Sequence, residues 1–146
     1  MACSVRKTGS FSSVASRIWI ETDPRVGRDV PHVCRQNHRA CRAPGNDRPR
    51  CIAACPLAAE PNPPLFWDDS LSRVVLRPQE KCKACLACVP ACRFQAIRVD
   101  VLEGVPLKCD LCGGDPECVQ VCVTGAIVLS REEPSPDLRQ GTVRSR

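Results

Sequence analysis

Apolar and polar positions alternate in this chain only in short bursts, set between long irregular stretches. Ser16-Arg-Ile-Trp-Ile-Glu-Thr22 alternates and is rich in β-formers, which predicts a short strand. Asp29 to Pro56 shows no sustained period and reads as loop, with an insertion rich in Arg, Pro, Gly and Asn. Pro61 to Pro64 reads as a turn or linker, and Arg73-Val-Val-Leu-Arg77 predicts the next strand. Ala96-Ile-Arg-Val-Asp100 and Ala126-Ile-Val-Leu-Ser130 predict two more, each a few residues after a group of cysteines. From Arg131 onward, polar residues, two prolines and terminal arginines predict a disordered tail. No segment approaches the ~20 apolar residues of a membrane-spanning helix, so no membrane insertion is expected.

Elements this short bury little, and composition says what must stabilise them. The 146 residues include 13 Cys and 14 Pro but no Tyr and three Phe, too few aromatics for an ordinary core. Bound metal is the staple available to such a chain. Its folding free energy is expected to come largely from ligation, leaving the metal-free chain unfolded or molten. The formal charge of +5 invites a nucleic-acid reading. The basic residues are scattered, however, with no recognition module or stacking aromatics, and no nucleic acid is expected as a partner. No signal region or twin-arginine leader opens the chain, which predicts a cytoplasmic setting where thiols stay reduced.

The chemistry lies in the cysteine spacing. Cys82, Cys85, Cys88 and Cys92 form C-x-x-C-x-x-C-x-x-x-C, the spacing with which bacterial ferredoxins hold [4Fe–4S] clusters. Three thiolates two residues apart can line one tight loop and grip three corners of a cubane, while the fourth points to another cluster. Zinc prefers two separated C-x-x-C pairs around one tetrahedral ion. A disulfide framework needs a secretory route and thiols with room to pair. A second motif follows at Cys109, Cys112, Cys118 and Cys122, its loop widened by Gly113-Gly-Asp-Pro-Glu117. Gly113 and Gly114 let the backbone turn closely around a metal. Together the motifs read as an internal repeat of cysteine loop, short helix and Ala-Ile strand. Spacing alone allows a two-cluster pairing in which Cys122 completes the set Cys82, Cys85, Cys88, and Cys92 completes Cys109, Cys112, Cys118.

Further cysteines stand at positions 3, 34, 41, 51 and 55. Lys81, Lys83, Arg93 and Lys108 flank the motifs, where they either raise cluster potentials or keep loops solvated. Leu86, Val89, Ile97, Val99, Ile127 and Val128 are expected to shield the clusters or serve as small-core residues. Trp19 and Trp67 read as packing or partner-contact residues. No nucleophile–base pair, phosphate loop or carboxylate dyad has usable spacing, so the expected activity is outer-sphere electron transfer.

From Ala2 to about Ser130 the chain resembles the multi-cluster electron-transfer subunits of molybdenum or tungsten oxidoreductases, hydrogenases and carbon monoxide dehydrogenases. Lys108-Cys-Asp-Leu-Cys-Gly-Gly-Asp-Pro-Glu-Cys118 resembles their last motif. Val33-Cys-Arg-Gln36 and Cys51-Ile-Ala-Ala-Cys-Pro56 resemble their second. Ala2-Cys-Ser4, with Gly9-Ser-Phe11 and Ser16-Arg-Ile18, resembles the segment after their first. The resemblance implies four clusters in two pseudo-symmetric ferredoxin units, the first motif paired with the fourth and the second with the third. Carried over, Cys55 completes Cys82, Cys85, Cys88, and Cys3 completes Cys109, Cys112, Cys118. Cys34, Cys51 and Cys92 serve a third cluster with one ligand open. Asn37 stands where that ligand is expected, leaving Cys41 or His38 as substitutes. Cys122 is then left over, its partners expected upstream of Met1, as if the first motif were truncated. Arg93 and Val123 stand where the family has proline.

The reading is an α+β chain of small ferredoxin-like [4Fe–4S] dicluster units, loop-rich with short strands and short helices. Residues 1–30 are the remnant of a first motif plus a strand, 31–130 the iron–sulfur region and 131–146 the tail. Two to three [4Fe–4S] clusters are expected, with a large oxidoreductase catalytic subunit or another redox protein as partner. A free ferredoxin, a zinc-stabilised interaction module and a degenerate relic are the competing readings.

Overall fold

The computed structural model describes residues 1–36, 39–42, 45–70, 72–77 and 81–129. Asn37, His38, Ser130 and the tail from Arg131 lie outside the described residues. The architecture is a small α+β one: four short helices and three separate two-stranded antiparallel sheets among the described residues.

Helix α1 spans Ala2–Thr8. Ser4 Oγ donates to the Met1 carbonyl at 2.8 Å, and Arg6 and Lys7 put positive charge on the last turn. Gly9 ends the helix at φ 72°, a left-handed cap that glycine takes without strain, and its N–H returns to the Val5 carbonyl. Seven residues do not hold a helix alone, so α1 depends on packing against α4 (Glu117–Gln120).

Strands β1 (Trp19–Asp23) and β2 (Arg28–His32) pair from Trp19 opposite His32 to Asp23 opposite Arg28. The predicted strand therefore starts three residues late. Ser16 Oγ donates to the Ile18 carbonyl at 2.6 Å, and the Arg17 N–H is drawn to Cys3 Sγ at 3.2 Å, so neither residue enters a ladder. β2 begins one residue before the stretch read as loop and runs into it. Both faces of this ribbon are largely exposed, so the β2 sequence carries no alternation, and an edge strand tolerates Pro31. The stretch also contains a 3-10 turn, Arg39–Cys41, and a one-turn helix α2, Arg50–Ala53, which opens after Pro49.

Strands β3 (Leu65–Asp68) and β4 (Arg73–Leu76) form the second hairpin, and β5 (Ile97–Val99) pairs with β6 (Pro106–Lys108). β4 and β5 lie inside the predicted strands. The strand predicted at Ala126–Ser130 does not form over the described residues: the Ile127 N–H is spent on Cys122 Sγ at 3.4 Å, and Val128 is 70% exposed. Val128 therefore shields nothing, whereas Ile97 is buried.

The core is correspondingly small. Ile52, Leu65 and Val74 are buried together, with Trp67, Leu76, Cys51 and Cys88 packed against them. Two cysteines are thus part of the hydrophobic core. A second anchor holds the first hairpin to the turn after Cys92. The Trp19 and His32 rings stack at 3.9 Å, the Trp19 indole N–H donates to the Gln95 carbonyl at 2.8 Å, and His32 Nδ1 lies 3.2 Å from the Phe94 carbonyl. Both tryptophans are packing residues. Among the described residues no helix is long and apolar enough to cross a membrane.

Candidate metal centres

All 13 cysteines lie among the described residues and none is in a disulfide. They gather from distant stretches. Helix α3 (Cys88–Ala91) starts on the third cysteine of its motif and packs against α2, which brings Cys51 beside Cys88. Burial, then the neighbouring Cys51 and Cys82, with Cys85 a smaller influence, pushes the Cys88 thiol up to about 12. The loop before α3 turns through left-handed residues, Ala84 at φ 51° and Leu86 at φ 57°, alternating with the cysteines. Cys55 follows α2 by one residue beyond its Ala54 cap.

A second gathering occurs around a small pocket that opens to solvent. Cys34, Cys41, Cys51 and Cys92 all line it, with Lys108 at its wall. Burial pushes the Cys51 thiol up to about 11; Lys108 opposes this, while Cys34 and Cys92 add to it. Cys41 reaches the cavity from the 3-10 turn inside the irregular insertion, so the one cysteine without a motif lies where Cys34, Cys51 and Cys92 meet.

The third gathering depends on α1. Its contact with α4 sets Cys3 near Cys118, and Lys7 Nζ lies 2.6 Å from Asp110 Oδ1, tying the helix to the last cysteine loop. Burial raises the Cys118 thiol, with Cys3 and then Cys112 adding to it. Burial also pushes Cys109 up to about 11, with Cys34 and Cys3 among its neighbours. The loop is bent by Leu111 at φ 55°, Cys112 at φ 51° and Gly113 at φ 84°. A Cβ added at Gly113 would meet nothing within 4 Å, so glycine is needed there for its backbone angle rather than for close approach. Cys122 stands apart: its sulfur meets the Thr124 hydroxyl at 3.6 Å and the Ile127 N–H, and these hydrogen bonds lower its pKa.

Asp110 explains how α1 is held. Burial alone would raise its carboxyl, but the Lys7 hydrogen bond and charge, with the Cys112 N–H, more than offset this and hold it below its ordinary 3.8. The pair's contribution is therefore full at neutral pH and is lost as pH falls below that value. Replacing Lys7 with Met should cost about 1 kcal/mol in this half-buried pair. Release of iron from the reconstituted chain to a chelator at pH 7 should then be about fivefold faster than in wild type. An unchanged rate would mean that α1 is held without the pair.

These loops suit an iron–sulfur cubane in two respects. Left-handed non-glycine residues cost about 1–3 kcal/mol each and persist where something else over-determines them. They also turn successive N–H groups toward an anion, as iron–sulfur loops do. Sulfurs already accept backbone N–H groups: Arg17 to Cys3 at 3.2 Å, Ala96 to Cys92 at 3.4 Å and Leu111 to Cys109 at 3.4 Å. Among the described residues, no three His, Cys, Asp or Glu side chains converge closely enough to hold a single metal ion.

Cysteine loops on a small α+β frame are consistent with a ferredoxin-like fold, and the known proteins that the chain is similar to are of that kind. The chain is 39% identical over 123 residues to the polyferredoxin-like subunit of an aliphatic sulfonate oxidoreductase of Pyrococcus furiosus, covering 84% of this chain and 61% of that one. It is 32% identical to the beta subunit of an NADH-dependent phenylglyoxylate dehydrogenase of Aromatoleum evansii, covering 86% of this chain and 25% of the other. It is 30% identical to an uncharacterized ferredoxin-like protein of Escherichia coli K12, over 92% of this chain and 59% of that one. The homologues are thus ferredoxin-like iron–sulfur proteins, several of them subunits of oxidoreductases, and the chain spans at most about three-fifths of the length of these three. No protein-family model matches it.

Proposed function

We propose that the chain is an electron relay carrying three [4Fe–4S] clusters, and that it works beside a larger catalytic oxidoreductase subunit without altering a substrate itself. One cluster is held by Cys82, Cys85, Cys88 and Cys55, one by Cys109, Cys112, Cys118 and Cys3, and one by Cys34, Cys41, Cys51 and Cys92. The observation that carries this reading is the gathering of thiols from distant parts of the chain into sets, above all the delivery of Cys3 to the Cys109–Cys118 loop by α1. The four cysteines lining one cavity support Cys41 as the ligand that Asn37 cannot supply. Bound clusters would supply one-electron storage at each site. The protein's own part is to bury the sulfurs, direct N–H groups at them and set the local charge. The relatives' names support a catalytic partner, and the thiol set suits a reducing, cytoplasmic setting.

The test is anaerobic reconstitution followed by measurement of iron and acid-labile sulfide per chain. About 12 irons support the three-cluster assignment, and about 8 reduce it to two clusters. Stoichiometric zinc without brown colour would overturn the electron-transfer reading.

A further inference from the structure

Of the four cations that flank the cysteine motifs, Lys81, Lys83 and Arg93 are exposed and screened by water, whereas Lys108 is 6% exposed. Its Nζ donates to the Val74 and Cys109 carbonyls, both at 2.8 Å, and lies 3.5 Å from both Gln36 Oε1 and Cys34 Sγ. Gln36 closes the knot: its amide donates to the Cys109 carbonyl at 2.8 Å and accepts from the Val74 N–H at 3.0 Å. These contacts of Nζ are carbonyls, an amide oxygen and a thiol. Among the described residues, an ammonium surrounded this way is solvated but has no carboxylate in hydrogen-bond contact, an arrangement that is expensive unless an anion stands close. Among the described residues, no carboxylate lines the cavity that Lys108 shares with Cys34, Cys41, Cys51 and Cys92. In the neighbouring loop, by contrast, the cation is already matched: Lys7 Nζ lies 2.6 Å from the Asp110 carboxylate, which also accepts from the Cys112 N–H at 3.1 Å, so that loop gains no net charge.

We propose that Lys108, held in place by Gln36, is the fixed counter-charge of the Cys34, Cys41, Cys51 and Cys92 centre and makes it the most readily reduced centre of the chain. The inference rests on the three-cluster reading. Reduction adds one electron to that centre and is reversed on reoxidation; no proton is transferred and no bond is made or broken. A cation buried beside the sulfurs, away from screening water, favours the more negative reduced state. The uneven placement of charge then gives the relay an internal sink.

The test is a potentiometric titration of the whole reconstituted chain, with dithionite as electron source and electron paramagnetic resonance as readout. Iron content is measured first: about 12 per chain keeps the three-cluster reading, and fewer in the wild type would mean that the reading itself has failed. The wave lost in Cys51→Ala marks the centre in question, and it should be the highest in potential. Lys108→Met, and Gln36→Glu, which sets a carboxylate against the ammonium, should each shift its reduced-to-oxidised ratio at fixed potential about tenfold toward oxidised. That shift equals about 59 mV for one electron. Lys108→Arg, which keeps the charge, should retain the wild-type potential. An unmoved potential in either fully loaded variant overturns the proposal. Failure of both variants to load would make Lys108 a structural residue and overturn it equally.

Discussion

Cys3→Ala should cost the reconstituted chain about four of its irons, the same loss as Cys118→Ala, because the proposed assignment places both thiols on one cubane. The two cysteines are separated by more than a hundred residues, yet Cys3 adds to the raised pKa of Cys118, and Lys7 and Asp110 hold their segments together. The double variant should lose no more iron than either single one, the non-additivity expected of residues that act as a unit. The two-cluster pairing predicts otherwise: there Cys92→Ala empties the Cys109 loop and Cys3→Ala changes nothing. Iron and sulfide analysis of the four variants decides between them, and retention of full iron by Cys3→Ala would exclude Cys3 as a ligand.

The second large effect concerns folding. Anaerobic chelation of the iron should abolish the cooperative fold, with far-ultraviolet circular dichroism falling to that of an unfolded chain. Ile52, Leu65 and Val74 are too small a core to fold a chain of this length, and Cys51 and Cys88 pack directly against them. The pKa directions add a second signature. Burial pushes Cys51, Cys88 and Cys109 up to about 11, 12 and 11, so in the metal-free fold these thiols keep their protons at neutral pH. Loading must expel them, and a pH-stat should record about one proton per ligating cysteine, with loading strengthening as pH rises. Without metal the sign reverses. Folded-state values above the ordinary 9.0 stabilise residual structure below that pH, and this support is lost as pH climbs toward the raised values. A native-like, cooperative metal-free chain would refute the view that ligation supplies the folding free energy.

The cysteine loops were legible in spacing because thiolates that grip one metal centre from one loop must lie close in sequence, every third residue at Cys82, Cys85 and Cys88 and across a widened gap at Cys109, Cys112 and Cys118. The helices that begin at Cys88 and near Cys118 follow from that same repeat. The partners from elsewhere in the chain were not legible in spacing. Cys3 is assigned through resemblance alone until α1 is seen to pack against α4, and Cys41 is one cysteine among many until the 3-10 turn sets it on the cavity. Strands were readable where they face a core, as in β4 and β5. They were invisible where a two-stranded ribbon leaves both faces wet, as in β2. The strand expected at Ala126 shows the converse: an apolar burst is insufficient when its N–H groups have a sulfur to bind and no ladder to join. Burial of Lys108 was equally hidden, since in sequence it is one of four similar neighbours of cysteine.

The contact between α1 and α4 also sets an order of assembly. Thiols within a single loop, such as Cys82, Cys85 and Cys88, are available as soon as that short stretch leaves the ribosome, and closing so small a loop costs little entropy. On the proposed assignment, the centre that uses Cys3 must wait, because its ligands come from nearly opposite ends of the described chain, and long-range closure comes late in folding. On the proposed assignment, synthesis that stops before Cys118 would leave the set of Cys3, Cys109 and Cys112 one thiol short, so delivery of iron to that centre can report that the chain has been read through its last loop.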